Sequence, residues 1–214
     1  MFVKNRMTKN PRTMSSNTTI ADAVAIFRET GFKRFPVVDN GKLVGILTKG
    51  DIQTVSPTKA TSLSIFEVNY FLSKITIKEA MTRNPITIEA KCLLEEAAVR
   101  MRENKISVLP VLEDGKLAGI ITESDIFDAF IDLLGFKDKG SRITVEVKDV
   151  PGGVNEISDI YYSMNVNITH MAIFAGDGFR DVVVRAPIKD VSEIEKKLKE
   201  KGYEIKHVLI SNDD

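Results

Sequence analysis

The chain of 214 residues holds one cysteine, Cys92, and two histidines, His170 and His207. A single cysteine excludes an internal disulfide framework and suits a reducing compartment. Cys92 has no neighbouring histidine. No metal-ligand spacing or nucleophile–base set can be built from these residues, so no catalytic residue and no metal site is assigned. No P-loop and no Gly-x-Gly-x-x-Gly is present. Charge of one sign is also missing: 30 Lys and Arg balance 30 Asp and Glu. That balance argues against a protein that binds nucleic acid through bulk charge. The lysine-rich tract Glu193–Lys201 interleaves acids with its lysines and reads as a solvated helix face. No run approaches 18 apolar residues, so no membrane span is expected, and the N-terminus lacks the apolar stretch of a signal peptide. The expectation is a cytoplasmic protein that is not an enzyme.

What is present is a repeat. The segment VKNRMTKNPRT near the start returns as IKEAMTRNPIT, and FPVVDNGKLVGILTKGDI returns as LPVLEDGKLAGIITESDI. The offset is 74 residues without a gap, and 19 of 50 positions agree between Val3–Ile52 and Ile77–Ile126. Two copies are too few for a solenoid and suggest a pseudo-symmetric pair around one core.

Each copy has the same coarse plan. Asn10-Pro11 and Asn84-Pro85 mark turns, followed by short strands at Arg12–Met14 and Ile86–Ile88. Ile20, Ala23, Val24 and Phe27 fall at i, i+3, i+4 and i+7, which predicts a helix over Thr19–Thr30 with one buried stripe. Leu93, Leu94, Ala97, Ala98 and Met101 do the same in the second copy. A strand, an Asn40-Gly41 or Asp114-Gly115 turn, and a second strand follow, the pattern of a hairpin. Thr48 and Asp51, then Thr122 and Asp125, open further helices. Between the copies SPTKATS reads as a polar loop and SIFEVNYFLSKI as a helix.

Helix, Pro-Val strand, hairpin, Gly-apolar-apolar-Thr strand and Asp-led helix, present twice in register, resemble tandem cystathionine-β-synthase (CBS) domains. The marks are Pro36-Val37-Val38-Asp39, Gly41–Thr48 and Asp51, then Pro110-Val111-Leu112, Gly115–Thr122 and Asp125. The resemblance implies an adenosine ligand: AMP, ADP, ATP or S-adenosylmethionine. It implies that Asp51 and Asp125 hold ribose hydroxyls, that Thr48 and Thr122 assist, and that Ile46 and Ile120 flank the base. Phosphate recognition would fall to Lys33 and Arg34 in copy one. The matching positions in copy two are Ser107, which the resemblance also implies at the nucleotide, and Val108, an asymmetry that favours a single nucleotide or two unequally charged ligands. An Asp after a Thr at a helix start is equally an ordinary N-terminal cap, and Lys33 and Arg34 equally suit a helix C-terminus.

After Gly135–Gly140, which reads as a linker, the order strand, helix, strand, strand, helix, strand is that of a ferredoxin-like fold. Ile143–Val147, Asp149-Val150-Pro151-Gly152-Gly153-Val154 and Asn165-Val166-Asn167-Ile168 resemble an ACT domain. That resemblance implies side-by-side dimerisation and an amino-acid site at Gly152, Gly153, Val154 and Asn167. The expected fold is α+β: CBS domain one at 1–60, a linker helix at 61–74, CBS domain two at 75–135, and a βαββαβ ACT-like domain at 141–214. Together the parts resemble the acetoin-utilisation (AcuB) type. The resemblance implies a non-catalytic homodimeric regulator that takes an adenosine nucleotide as its regulatory ligand, needs no cofactor, and acts on an unknown partner enzyme. The alternative is an amino-acid sensor working through the ACT domain, with the CBS pair as a dimerisation scaffold.

Overall fold

A computed structural model describes residues 1–56, 64–176 and 178–211. The chain divides into two compact units, Met1–Ile126 and Phe127–Asp214. The polar-loop expectation for residues 56–62 lies, beyond Ser56, outside the described residues.

In the first unit a one-turn 3-10 helix at Val3–Asn5 leads to β1 (Thr8–Lys9), α1 (Ile20–Thr30), β2 (Arg34–Asp39), β3 (Lys42–Thr48) and α2 (Lys49–Val55). Helix α3 (Ile65–Lys74) joins this to the second copy: α4 (Ile77–Ala80), β4 (Thr82–Arg83), β5 (Ile88–Glu89), α5 (Leu94–Asn104), β6 (Val108–Glu113), β7 (Lys116–Thr122) and α6 (Glu123–Leu133). The predicted stripe of α1 is where burial falls: Ile20 and Ala23 are fully buried and Phe27 nearly so, its ring meeting Phe35 edge-on at 4.9 Å. Both hairpins turn on two left-handed residues, Asn40-Gly41 (φ 49° and 75°) and Asp114-Gly115 (φ 51° and 74°). That is the conformation for which Asn-Gly and Asp-Gly are suited. The expected strand at Arg12–Met14 reduces to a single bridge, Met14 to Val37. Its counterpart pairs over two residues, Ile88 to Val111 and Glu89 to Leu112.

The lead-in of each copy is exchanged. β1, at the start of copy one, pairs with β7 of copy two, Thr8 opposite Ile120. β4, at the start of copy two, pairs with β3 of copy one, Thr82 opposite Ile46. The backbone extends the exchange. The Val3 amide donates to Cys92 O at 3.0 Å and the Leu94 amide to Met1 O at 2.9 Å; the 74-residue counterparts are Ile77 to Thr18 O and Ile20 to Ile75 O, both 2.8 Å. The sheets are therefore β2-β3-β4 and β1-β7-β6-β5. The sequence boundaries at 60 and 75 do not bound the lobes in space, because each lobe contains the other copy's first residues.

Gly45 and Gly119 permit this exchange. A Cβ on Gly45 would run into Met81 Sδ and lie 3.0 Å from Thr82 O. On Gly119 it would lie 2.7 Å from both Met7 Sδ and Thr8 O. Only a residue without a side chain lets the borrowed strand approach.

The second unit begins within α6, after Ile126, rather than at the expected linker. It contains β8 (Gly140–Lys148), α7 (Gly153–Ser163), β9 (His170–Ala175), β10 (Phe179–Ala186), α8 (Ser192–Glu200) and β11 (Glu204–Ser211). The antiparallel sheet runs β11-β8-β10-β9, so the expected βαββαβ order is what forms. One sheet face is buried under the two helices: Ile143, Val145, Val182 and Val184 share a core with Ile157, Ile160, Tyr161, Ile194 and Leu198. Strand β9 starts only at His170. Val166 and Ile168 pack into that core from the loop after α7, and the Val166 amide closes the helix on Tyr161 O at 3.0 Å.

Candidate functional site

Strand β3 ends at Thr48 and the chain turns at once into α2. Asp51 Oδ2 accepts from the Thr48 amide at 2.7 Å and the Thr48 hydroxyl at 2.8 Å, while the Asp51 amide donates to Thr48 Oγ1 at 3.3 Å. Copy two repeats the arrangement at the start of α6. Asp125 Oδ2 accepts from the Thr122 amide and hydroxyl, both at 2.7 Å, and the Asp125 amide donates to Thr122 Oγ1 at 3.4 Å. This is a reciprocal capping box with Asp in the role usually filled by Glu. The capping expectation is therefore met in both copies.

Capping consumes only one oxygen of each carboxylate. Among the described residues Oδ1 of Asp51 and of Asp125 accepts no hydrogen bond. Both side chains are half-buried. An ionised carboxylate has about four lone-pair sites, and a Thr hydroxyl that has spent its proton still accepts. Each box is thus a fixed set of acceptors suited to hydroxyl donors. Beside it, Ile46 is buried in β3 with Thr82 as its cross-strand partner, and Ile120 is half-buried in β7 opposite Thr8.

The two residues of the basic pair differ in their surroundings. Arg34 Nη1 donates to Ser107 O at 2.8 Å and Nη2 to Ser107 Oγ at 3.0 Å. Two residues assigned separately to ligand thus bind each other across the copies. Ser107 occupies the place of Lys33 in the repeat, and its small side chain leaves room for the guanidinium. Lys33 is exposed. The Lys33 carbonyl accepts from the Lys49 amide at 3.2 Å, and Ser107 O accepts from Glu123 at 3.3 Å, so the backbone there stays symmetric.

In the second unit Gly152 (φ 91°) and Gly153 open α7 and line a cavity of about 590 Å³ with Glu156, Lys201 and Tyr203. The Tyr203 hydroxyl donates to Glu156 Oε2 at 2.7 Å. Burial and then that carboxylate push Tyr203 up to about 12. Val154 packs against the core instead. Asn167 is exposed beyond the far end of α7, about 16 Å along an eleven-residue helix. The fold does not bring Asn167 to the glycines within one chain.

Among the described residues no three His, Cys, Asp or Glu side chains are grouped to hold a metal ion, and no helix is long and apolar enough to cross a membrane. Four residues beside the capping boxes were not singled out from sequence: Met7, Thr8, Met81 and Thr82. Their signal was there, since Met-Thr recurs in both copies ahead of Asn-Pro, but nothing local says that the pair lies on the other copy's strand.

The CBS domain family matches residues 3–57 and 77–132, both copies and more than half of the chain. The chain belongs to the CBS domain family. Its CBS pair is similar to the solved structure of a putative acetoin utilization protein (AcuB) from Vibrio cholerae. Identity is 28%, TM-score 0.53, with 64% of this chain and 95% of that one covered. It is also similar to the CBS domain pair of protein MJ0100, solved with 5-methylthioadenosine and S-adenosyl-L-methionine. There identity is 34% and TM-score 0.51, covering 64% and 98%. CBSX2 in complex with AMP matches at 28% identity and TM-score 0.51, over 62% and 97%. Among curated proteins, a CBS domain-containing protein of Dictyostelium discoideum is 33% identical over 136 residues, 63% of this chain and 94% of that one. An inosine-5'-monophosphate dehydrogenase of Korarchaeum cryptofilum is 26% identical over 185 residues, 85% of this chain. This chain spans only 34% of the length of that enzyme. CBS pairs related to this one thus bind AMP or S-adenosylmethionine and methylthioadenosine.

Proposed function

We propose that the protein is a non-catalytic regulator whose CBS pair binds an adenosine nucleotide, with the ribose hydroxyls held by Asp51 and Asp125. The observation that carries this reading is the division of labour in each capping box. One carboxylate oxygen fixes the helix start, and the other is free, half-buried and held rigid. Thr48 and Thr122 supply further acceptors, Ile46 and Ile120 an apolar wall for the base. Arg34 is engaged with Ser107, so Lys33 is the residue of the basic pair that meets phosphate. A ligand with little anionic charge, S-adenosylmethionine or AMP rather than ATP, suits such a site.

Ligand acts by binding one arrangement of the two copies better than another. Asp125 sits in the first turn of α6, and α6 is a continuous helix that ends in the second unit. It gives bound ligand a mechanical path to the ACT-like domain and, through it, to a partner enzyme. Exposed aromatics on α3 and α6, Phe66 and Phe127 among them, support a homodimer. Likeness to the AcuB structure supports a role in acetoin or acetate metabolism. A second reading, an amino-acid sensor, is favoured by the cavity beside Gly152 and Gly153. Calorimetric titration with AMP, ATP, S-adenosylmethionine and amino acids separates the two. Adenosine binding that is lost on Asp51→Ala or Asp125→Ala supports the first; amino-acid binding indifferent to both supports the second.

A further inference from the structure

The sheet of the second unit has a face that α7 and α8 do not cover, and one register on it is unusual. Arg142 of β8 stands directly opposite Arg185 of β10, and Arg185 stands directly opposite His170 of β9. Side chains opposed in this way on one sheet face approach within about 5 Å, and like charges there repel. Two guanidinium groups and an imidazole in one row would ordinarily be left in water. Instead the end of α6 and the turn after it lie over them. Phe130, Leu134 and Phe136 join the row in enclosing a cavity of about 260 Å³. Gly135 (φ 61°) brings that turn against His170, where a Cβ would collide with the imidazole.

The charges under this lid are not balanced. Asp138 Oδ2 lies 3.1 Å from His170 Nδ1, near enough for an ion pair but without hydrogen-bond geometry. Arg142 Nη1 donates to Thr144 Oγ1 at 3.0 Å, a neutral acceptor. Arg185 Nε is buried and has no hydrogen-bond partner among the described residues. The acids further along this face, Glu146 and Asp181, are taken by Lys206. Burial first, then Arg142, works against the charge on Arg185, and Asp138 only partly offsets them. An unmet buried donor of this kind is costly, and guanidinium pairs recognise planar anions through parallel N–H donors.

We propose that this cavity is a binding site for a small amphipathic carboxylate, its anionic head on Arg142 and Arg185 and its hydrocarbon against Phe130, Leu134 and Phe136. The enclosed volume is below that of sites for drug-sized ligands, which selects a short-chain acid over a long fatty acid. The site shares no residue with the capping boxes or with the cavity beside Gly152, so the regulator has an input for an organic acid within its second unit.

The test uses the full chain and sodium hexanoate, followed by calorimetry, with 1-hexanol as the neutral isostere and inorganic phosphate as the anion without hydrocarbon. Saturable hexanoate binding is expected, with hexanol and phosphate at least tenfold weaker. Arg185→Gln should weaken hexanoate at least tenfold, and Leu134→Trp, which fills the cavity from its rim and leaves the arginines in place, should abolish it. Circular dichroism confirms that each variant is folded. Hexanol binding as tightly as hexanoate would make the cavity merely apolar and overturn the proposal. Phosphate binding as tightly would overturn its amphipathic part. Absence of hexanoate binding to the folded wild-type protein, or binding that survives Leu134→Trp, would overturn it entirely.

Discussion

Gly31 and Lys105 hold the same place in the two CBS copies, and each ends its copy's long helix in the left-handed conformation, at φ 68° and 54°. Copy one meets that demand with the residue suited to it; copy two meets it with a side chain that pays in strain. The same contrast recurs nearby. Arg34 reaches across to Ser107, whereas its counterpart Val108 is buried. Asp39 accepts from the amide of Ser16 and the hydroxyl of Ser15, both at 3.0 Å, whereas copy two has Glu113 and Ala90 at the corresponding positions. The two capping boxes and the two strand-accepting glycines do not diverge. Symmetry is kept where the copies borrow strands from each other and where a carboxylate oxygen is presented. It is relaxed at the helix ends and at the starts of the Pro-Val strands.

The contrast can be broken most severely at the glycines. Gly119→Ala should destabilise by about 1 to 3 kcal/mol, the range of overpacking, and by more than Gly45→Ala. The backbone oxygen it meets lies at 2.7 Å rather than 3.0 Å, and backbone yields less than a methionine side chain. Urea unfolding of both variants checks the order. Arg34→Met should cost about 1.5 kcal/mol, since a charged donor is lost and Ser107 O keeps only the Glu123 amide. In the same assay Val108→Arg should not restore it, because the repeat counterpart of Ser107 in copy one is Lys33, a cation with no acceptor on its side chain. Asp51→Ala and Asp125→Ala should each cost about 1 kcal/mol through the lost cap. Equal costs are expected in the absence of ligand, because the two boxes have the same geometry. Lys105→Gly should stabilise by roughly 0.5 to 1 kcal/mol, while Gly31→Lys should destabilise by a similar amount, seen as opposite shifts in thermal midpoint.

The smallest effect concerns acid. The Ser16 hydroxyl and amide, with Ser15, hold Asp39 below its ordinary value of 3.8. A carboxylate lowered on folding contributes stability that is fully present above its unfolded value and is lost as pH falls through the folded one. The stability gap between wild type and Asp39→Asn should therefore be constant from neutral pH down to about 4 and close below it. A pH series of denaturation midpoints for wild type and Asp39→Asn would reveal it.

Much of this fold is legible in the residues. The helical stripe of Ile20, Ala23 and Phe27, the Asn-Gly and Asp-Gly hairpins and the Thr-x-x-Asp boxes are local patterns, each formed by interactions within a few residues. The exchanged lead-ins are not. Thr8–Lys9 and Thr82–Arg83 are two-residue strands with no periodicity to find, and their partners lie far along the chain. Arg34 and Ser107 are 73 residues apart, and sequence offers both to a ligand because it cannot offer them to each other. Arg142 and Arg185 alternate with core residues along their strands and so read as a solvated face. The turn after α6, whose Phe136 helps enclose them, reads as the start of a linker.

The most direct test of the central claim, that Asp51 and Asp125 serve both as caps and as ribose ligands, is calorimetric titration of AMP and S-adenosylmethionine into wild type, Asp51→Asn and Asp125→Asn. Asparagine keeps a carbonyl oxygen for the Thr amide but removes the charge and half of the acceptors. The prediction is near-native stability in both variants, with binding weakened at least tenfold in one or both. Wild-type binding of an adenosine ligand that neither substitution changes, or no binding at all to the folded protein, would contradict it and leave the two carboxylates as helix caps alone.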